Sequence, residues 1–244
     1  MLKQHKARSF YAAMSTTTEA PVISLEGISK RYRSGDEQTI ALHNISLTIN
    51  KGEFVAIMGP SGSGKSTMMH ILGLLDTPTA GTYQLDGQDV SKIKKNTQAD
   101  LRNQHIGFVF QQFNLMPRTT VLENLLLPTV YGELPDRYER AEKLLKEVDL
   151  ADRATHTGAQ LSGGQIQRVA VARALMMNPA LILADEPTGN LDSKRSEEIM
   201  TLFRSINKSG ATIVLITHEP EIAAFADRVI TLKDGKITKD ARSK

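Results

Sequence analysis

Apolar residues along the chain form short runs and alternating stretches, the pattern typical of β-strands. Turn-forming residues separate these stretches, and a turn over 33–38 joins the first two. We expect strands over 22–32, 40–49, 53–59, 81–87, 105–111, 181–184 and 212–217, with a closing hairpin over 228–238. The longest apolar runs are strand-sized, well below the roughly 18 residues that a membrane-spanning helix requires.

Helical patterns lie between the expected strands. Helices are expected over 65–74 and 193–207, after the SGGQ turn (residues 162–165), and briefly from Pro220. Between 119 and 160 the pattern is helical, with Ala141, Leu145 and Val148 at four- and three-residue spacing. Strands alternating with helices predict an α/β core with a mainly parallel sheet, and the region at about 115–165 predicts an inserted helical subdomain.

Composition and charge narrow the class of protein. The 244 residues are 40% hydrophobic and 23% charged, as in ordinary globular domains, and the chain has no cysteine. This excludes disulfides, zinc–thiolate sites and thiol catalysis, and fits a reducing compartment. The net charge of +3 comes from the termini, since residues 1–20 carry +2 and 233–244 carry +3, which leaves −2 on the body. An acidic body argues against nucleic-acid binding.

We expect a flexible tail over 1–21, a single folded domain over 22–237 and a short tail over 238–244. The first segment has no apolar stretch of signal-peptide length. A transit peptide and a tail translated from an upstream start codon, with Met14 as the natural start, remain alternatives for it.

The sequence GPSGSGKST at 59–67 matches the phosphate-loop motif at every fixed position. It lies between an expected strand and an expected helix, the context that distinguishes this motif from a Gly/Ser-rich linker. Backbone N–H groups of such a loop cradle phosphate oxygens, its lysine reaches the β- and γ-phosphates, and its serine hydroxyl binds Mg²⁺. The nucleotide-binding residues expected here are Gly59, Pro60, Ser61, Gly62, Ser63, Gly64, Lys65, Ser66 and Thr67.

Two carboxylates follow the buried strand LILA, where parallel sheets bind their ligands. Asp185 suits Mg²⁺, and Glu186, with no basic neighbour in sequence, suits a general base that orients the attacking water. An acidic turn before Pro187 is the alternative. Gln111 and His218 also end buried strands, so the same sheet edge would bring them near the nucleotide. There Gln111 could contact Mg²⁺ or water, and His218 the γ-phosphate; simple strand-end capping is the alternative for each.

The SGGQ turn is a second glycine-rich helix start, but without a lysine. Helix N-termini offer free N–H groups and a partial positive charge, so this turn predicts a second anion site. A protein with one complete phosphate loop has no evident use for another in the same site.

Together, GPSGSGKST, Gln111, LSGGQ, LILADE and His218 resemble, in this order, the motifs of ATP-binding cassette (ABC) ATPases over about 22–237. The resemblance implies a P-loop NTPase fold with a RecA-like parallel core, an antiparallel β subdomain and an inserted helical subdomain. It implies an ATPase that uses ATP and Mg²⁺, with Glu186, His218, Gln111 and Lys65 as catalytic residues. It also implies that Ser66, Gln111 and Asp185 hold the metal, and that Tyr32 stacks on adenine.

The resemblance also explains the second anion site. Two copies would meet head to tail, so that Ser162, Gly163, Gly164 and Gln165 of one chain cover the ATP held by the other. Residues 188–192 resemble the loop that crosses this dimer interface, although Asp192 could also cap the helix that follows. Implied partners are a second copy and an integral membrane permease at the cytoplasmic face of the cell membrane, with no nucleic acid.

Finer likeness, in ILGLLDTPTAG and ADEPTGNLDS, is to the branch that contains macrolide exporters, the lipoprotein-releasing ATPase and the cell-division ATPase. Export, mechanical transmission, or service to a cell-division or other non-transport membrane complex therefore stay open. Phe113, Leu115 and Met116 either pack the helical subdomain or line a groove for a permease helix. A soluble ABC protein of ribosomes or DNA, and a phosphate-loop kinase or GTPase, are the competing classes.

Overall fold

The computed structural model describes residues 20–35 and 37–243. Its larger sheet has six strands in the order β10-β9-β3-β8-β7-β6. The strands β9, β3, β8, β7 and β6 are parallel, and β10 closes the edge as the antiparallel arm of a hairpin. These strands are β3 (Phe54–Met58), β6 (Ile106–Phe110), β7 (Leu181–Asp185), β8 (Ile213–Ile216), β9 (Arg228–Lys233) and β10 (Lys236–Arg242). The mainly parallel α/β core expected from sequence is confirmed.

Both faces of this sheet are covered, which is why its central strands read as continuous apolar runs. On β3, Val55 and Ile57 pack with the smaller sheet, while Phe54 and Ala56 pack with helices on the opposite face. The side chains of these four residues are fully buried. The core therefore consists of two hydrophobic layers that sandwich the parallel sheet.

The smaller sheet is antiparallel, in the order β2-β1-β4-β5. Its strands are β1 (Ile23–Ser34), β2 (Glu37–Ile49), β4 (Ala80–Leu85) and β5 (Gln88–Asp89). Burial alternates along β2, where Leu42, Ile45, Leu47 and Ile49 face the core between exposed residues. The turn between β1 and β2 is tighter than expected over 33–38, since Ser34 already pairs with Glu37.

Seven helices occur in the described residues: α1 (Lys65–Leu72), α2 (Lys95–His105), α3 (Val121–Leu126), α4 (Arg137–Glu147), α5 (Gly163–Ala174), α6 (Ser193–Lys208) and α7 (Pro220–Ala223). A third hydrophobic cluster joins α3, α4 and α5, and it contains the expected Ala141, Leu145 and Val148. Because α5 contributes Val169 and Ala172 to this cluster and Val171 and Ala174 to the core, it connects the helical region with the parallel sheet.

Three elements differ from the sequence expectations. Strand β5 was not expected, since a single strand was expected over 81–87. Helix α2 was not expected, because Gln98 is its only buried residue and it lacks an apolar stripe. Strand β10 continues to Arg242 and pairs with β9, so most of the tail expected over 238–244 belongs to the sheet. The tail expected over 1–21 lies outside the described residues, apart from Ala20 and Pro21. No helix in the described part of the chain is both long and apolar enough to span a bilayer.

Candidate functional site

The phosphate loop connects the end of β3 to the start of α1. A Cβ atom on Gly59 would lie 2.2 Å from the carbonyl oxygen of Leu232, and one on Gly64 would lie 2.6 Å from that of Ala41. Gly64 is also the N-cap of α1, with φ of 102° and no side-chain cap. Backbone packing therefore requires glycine at both positions, and the first turn of α1 keeps its N–H groups free of a side-chain acceptor.

Lys65 lies over this loop. Its Nζ donates hydrogen bonds to the carbonyl oxygens of Gly59, at 2.7 Å, and Pro60, at 3.0 Å. Ser66, next in α1, is exposed, and the Oγ of Ser63 is buried without a partner among the described residues. The loop thus presents an ammonium group, a hydroxyl and backbone amides at one place, the groups that bind a polyphosphate.

Asp185 and Glu186 stand at the carboxyl end of β7, as expected. Burial raises the pKa of the Asp185 carboxyl and the charge of Glu186 raises it further, while His70 and Lys65 oppose the shift. A carboxylate in this position gains from a nearby cation, because a cation offsets both its desolvation and the repulsion from Glu186. The hydroxyl of Ser66, the amide of Gln111 and the carboxylate of Asp185 are all oxygen donors of the type that Mg²⁺ prefers.

His218 follows β8 and contacts Glu186. Its Nδ1 lies 2.7 Å from Oε1 of Glu186, and the hydrogen bond raises the pKa of the imidazole. The His218 side chain is 65% exposed, whereas that of Glu186 is 18% exposed. Glu186 has no basic neighbour in sequence, but the parallel strands β7 and β8 bring His218, 32 positions away, into contact with it.

Gln111 follows β6 and contacts the loop after Glu186. The backbone oxygen of Gln111 accepts a hydrogen bond from Nδ2 of Asn190, at 2.8 Å. Its side-chain amide packs on Gly189, where a Cβ would lie 2.7 Å from Nε2. The segment containing Gln111 and the 188–192 loop are therefore held together within one chain.

The phosphate loop, Glu186 and His218 open onto one cleft of about 670 Å³. The lining residues are Met58, Gly59, Pro60, Ser61, Lys65, Glu186, His218 and Thr231. The structure describes all four residues of the SGGQ turn, and none of them lines this cleft. Ser66, Gln111, Asp185 and Tyr32 do not line it either, so the cleft contains only part of the sequence-predicted site.

Tyr32 lies on the antiparallel sheet near the start of α1. Its hydroxyl donates a hydrogen bond to Oδ2 of Asp76, at 3.0 Å, and Nζ of Lys30 lies 5.0 Å from the centre of its ring. Partial burial raises the pKa of Tyr32, with a hydrogen bond to Thr67 opposing and Asp76 adding to the shift. Lys30 and Asp76 form an ion pair at 2.6 Å. These contacts fix the orientation of a half-exposed aromatic ring.

The SGGQ turn starts α5 with a capping box. Ser162 is the N-cap: its Oγ accepts from the N–H of Gln165, and Oε1 of Gln165 accepts from the N–H of Ser162, at 2.9 Å. The amides of Gly163 and Gly164 remain without a hydrogen-bond partner in the described chain. The turn can therefore offer two N–H groups and a hydroxyl, while the side chain of Gln165 is engaged in the cap. Asp192 caps α6 in the same way, by accepting from the N–H of Arg195.

Two residues of α5 were missed by sequence reasoning. Arg173 donates to the carbonyl oxygens of Asn114, at 2.7 Å, and Phe113, at 3.0 Å, and burial lowers the pKa of its guanidinium group. Gln167 donates to the carbonyl oxygen of Pro187, at 2.7 Å. Their acceptors are backbone groups distant in sequence, so no local pattern could have indicated them.

A groove of about 500 Å³ lies beside β6 and α2, between the core and the helical region. Apolar atoms dominate its lining, which includes Phe108, Phe110, Pro128, Tyr131 and Met177. Tyr131 is 84% exposed. Leu115 and Met116 were expected either to pack in the helical subdomain or to line a groove for a permease helix. Leu115 packs on the helical cluster and Met116 is exposed, and neither residue lines this groove.

Comparisons with known proteins agree with this geometry. A family model described as ABC transporter matches residues 42–189. The chain is 54% identical to the ABC transporter ATP-binding protein YknY of Bacillus subtilis, over 88% of this chain and 95% of that protein. It is 51% identical to the macrolide export ATP-binding/permease protein MacB of Bdellovibrio bacteriovorus, over 91% of this chain but only 34% of that protein. The chain thus spans about a third of that relative's length.

Solved structures are similar along nearly the whole chain. A dimeric, post-hydrolysis structure of the ATP-binding cassette MJ0796 with ADP and Pi has a TM-score of 0.81 and 46% identity, covering 91% of this chain and 99% of that one. The cbiO1 structure from Clostridium perfringens has a TM-score of 0.83 and 30% identity, covering 93% and 90%. These likenesses confirm the expected fold and the expected resemblance to the branch that contains macrolide exporters.

Proposed function

The chain belongs to the ABC transporter family and is an ATP-hydrolysing cassette, and from this premise we propose that it drives a separate membrane permease by ATP-dependent dimerisation. The observation that supports this proposal is the shared edge of the parallel sheet. There β3, β6, β7 and β8 end in the phosphate loop, Gln111, Asp185–Glu186 and His218, respectively. We assign these groups to the hydrolysis of the γ-phosphate because all of them follow strands that end at this one edge.

Within one chain, the loop amides and Lys65 bind the β- and γ-phosphates, and Tyr32 stacks on the adenine. Glu186 acts as the general base, taking a proton from the attacking water at its carboxylate. His218 is held by Glu186 and donates to the γ-phosphate from the other side of its ring. The side chain of Glu186 is partly buried next to the loop, which limits the contact of this proton transfer with bulk solvent.

Ser66, Gln111 and Asp185 are the residues that would hold Mg²⁺. All three side chains offer oxygen donors, and a bound cation would offset the desolvation and repulsion that raise the pKa of Asp185. When bound, the ion neutralises phosphate charge and orients the γ-phosphate for in-line attack.

A second copy completes the site. The partner subunit's Ser162, Gly163 and Gly164 would cover the γ-phosphate. This is supported by the amides of Gly163 and Gly164, which have no hydrogen-bond partner among the described residues of their own chain, and by the dimeric structure of the similar cassette MJ0796. A two-fold interface then produces two equal sites from one of each motif. Removal of the bridging γ-phosphate weakens the interface, so the dimer opens. This opening is the conformational change that drives the permease.

The permease partner would dock a short amphipathic helix in the groove that contains Phe108, Tyr131 and Met177. Its apolar lining and the exposure of Tyr131 support this site. Because YknY matches over nearly its full length, the permease is proposed to be a separate chain, with this subunit at the cytoplasmic face of the membrane. Export of the type named for the MacB relatives is the proposed direction of transport.

The metal assignment is tested by ATP hydrolysis as a function of Mg²⁺ concentration. Asp185→Asn should raise the Mg²⁺ concentration for half-maximal rate by about tenfold or more, because it removes a charged ligand. Asp152→Asn, an exposed acid in the helical region, is the matched control and should behave as the wild type. An unchanged Mg²⁺ requirement in Asp185→Asn would remove Asp185 from the metal site.

The absence of cysteine makes the docking groove testable with single-cysteine variants. Tyr131→Cys should crosslink to the co-expressed permease, whereas Glu197→Cys, exposed on α6, should not. Equal crosslinking of both variants would contradict the groove assignment.

A further inference from the structure

Gln167 is a buried polar residue on the helix that begins with the SGGQ turn. Its side chain is 0% exposed, and its Nε2 donates to the carbonyl oxygen of Pro187, at 2.7 Å. Its Oε1 is buried without a partner among the described residues. Burying an amide side chain costs free energy unless the amide forms hydrogen bonds. The one side-chain hydrogen bond that Gln167 forms within the described chain is to the carbonyl of Pro187.

That group adjoins the general base. Glu186 has φ of 46°, in the left-handed region that residues other than glycine rarely adopt. The following proline restricts Glu186 further, towards extended conformations. Such a backbone persists only when surrounding contacts enforce it.

Three hydrogen bonds hold this turn. The N–H of Glu186 donates to Ile216 O at 2.8 Å, its carbonyl accepts from Gly189 N at 3.0 Å, and the Pro187 carbonyl accepts from Gln167. The first two come from β8 and from the turn itself. The third comes from α5, so it links the strained turn to a different part of the molecule.

Helix α5 is suited to transmit movement. Gln167 lies one turn after Gly163 and Gly164, on the same face of the helix. The helix packs on both the core and the helical cluster, through Val171 and Val169, respectively. A shift of the SGGQ turn therefore reaches the Glu186 turn through a rigid helix and a single hydrogen bond.

We propose that Gln167 is a positioning residue that holds Glu186 in its strained backbone conformation and ties it to the SGGQ turn of the same chain. This rests on the proposed function, in which the two motifs of one chain serve opposite ATP sites of the dimer. Gln167 then couples the two sites: engagement of the SGGQ turn at one site sets the general base at the other.

The first test is the rate of ATP hydrolysis by Gln167→Met, which keeps the side-chain size and removes the donor. We expect kcat to fall about tenfold, the KM for ATP to stay within about twofold, and the Hill coefficient for ATP to approach one. Gln98→Met, at a buried glutamine of α2 whose Nε2 has no partner in the described chain, is the matched control and should keep wild-type values. A parallel loss of kcat and ATP binding, or a wild-type kcat, would overturn the proposal.

A double-mutant cycle tests whether Gln167 acts through Glu186. In single-turnover phosphate release, Gln167→Met should change the residual rate of Glu186→Gln by less than about twofold. A further tenfold loss in that background would overturn the proposal, whereas a fast Glu186→Gln variant would instead refute the general base. If Gln167→Met does not fold, Gln167→Asn, which is too short to reach Pro187, replaces it. Failure of both to fold would assign Gln167 to stability alone and overturn the proposal.

Discussion

The phosphate loop and the SGGQ turn are both glycine-rich segments at the start of a helix, but their helix caps differ. In the first, glycine in a left-handed conformation caps α1, without a side-chain acceptor. In the second, Ser162 and Gln165 cap α5 reciprocally and occupy two of the N–H groups. The first turn is built to surround an anion, and the second to present two amides and a hydroxyl to an anion held elsewhere.

The two turns also differ in the charged residues around them. Lys65 lies over the phosphate loop, and the nearby carboxyl of Asp185 has a raised pKa, which a bound cation would lower. The SGGQ turn has no lysine within it. In the proposed dimer, a site completed by two molecules needs only one set of cations, which would account for the missing lysine in the second glycine turn.

The largest expected effect separates chemistry from binding at the first turn. Glu186→Gln should slow hydrolysis by roughly 10²–10⁴-fold, because it removes the proton acceptor, while ATP binding remains. The ATP-bound variant should accumulate as a dimer in size-exclusion chromatography with light scattering. Hydrolysis at the wild-type rate would remove Glu186 from the role of base.

Replacing one glycine of each turn by alanine should change the free energy of unfolding by different amounts, because the two backbones differ. Gly64→Ala should reduce the free energy of unfolding by about 3 kcal/mol, because its Cβ meets the Ala41 carbonyl at a φ of 102°. Gly163→Ala should stay within about 1 kcal/mol, since its Cβ makes ordinary contacts with Leu191 Cδ2 at 3.5 Å and Phe113 Cζ at 4.0 Å. Urea unfolding of both variants is the measurement, and similar losses would contradict the distinction.

The second turn should be required for dimerisation but not for nucleotide binding. Ser162→Arg places a bulky cation at a helix N-terminus, and should weaken ATP-driven dimerisation by more than about thirtyfold, or about 2 kcal/mol at an interface centre. Nucleotide binding to the monomer should be unchanged. Equal loss of nucleotide binding and dimerisation, in calorimetry and sizing, would place the turn in the nucleotide site of its own chain.

The smallest effect concerns the exposed pair of His218 and Glu186. Because the folded-state pKa of His218 is raised, the pair stabilises the fold fully below the ordinary value of 6.5, and this contribution is lost as the pH rises through the raised pKa. His218→Asn should therefore lose more stability, relative to wild type, near pH 6 than near pH 9, by less than about 1 kcal/mol. A larger difference at high pH would contradict the pairing.

Sequence reasoning predicted the strands except β5, their order along the chain and the motifs at their ends, because buried apolar runs and fixed spacings are local properties. It could not predict α2, where burial of Gln98 alone leaves no periodic signal. It also could not pair His218 with Glu186, or Gln167 with Pro187, because those contacts depend on how distant segments pack. The catalytic, metal-binding and nucleotide-contacting roles given to all the site residues, Tyr32 and Gln165 among them, stay predictions.

The most direct test of the composite site is complementation between two defective chains. Lys65→Met removes the phosphate loop's cation and Ser162→Arg blocks the SGGQ turn, so neither chain alone should hydrolyse ATP. In an equimolar mixture, half of the dimers would carry one intact site formed by both chains, so hydrolysis should exceed the sum of the two components. About a quarter of the wild-type rate is the upper bound, because the Ser162→Arg chain supplies Glu186 to that site without an engaged SGGQ turn of its own. A mixture no more active than the sum of its two components would contradict a site shared between two molecules.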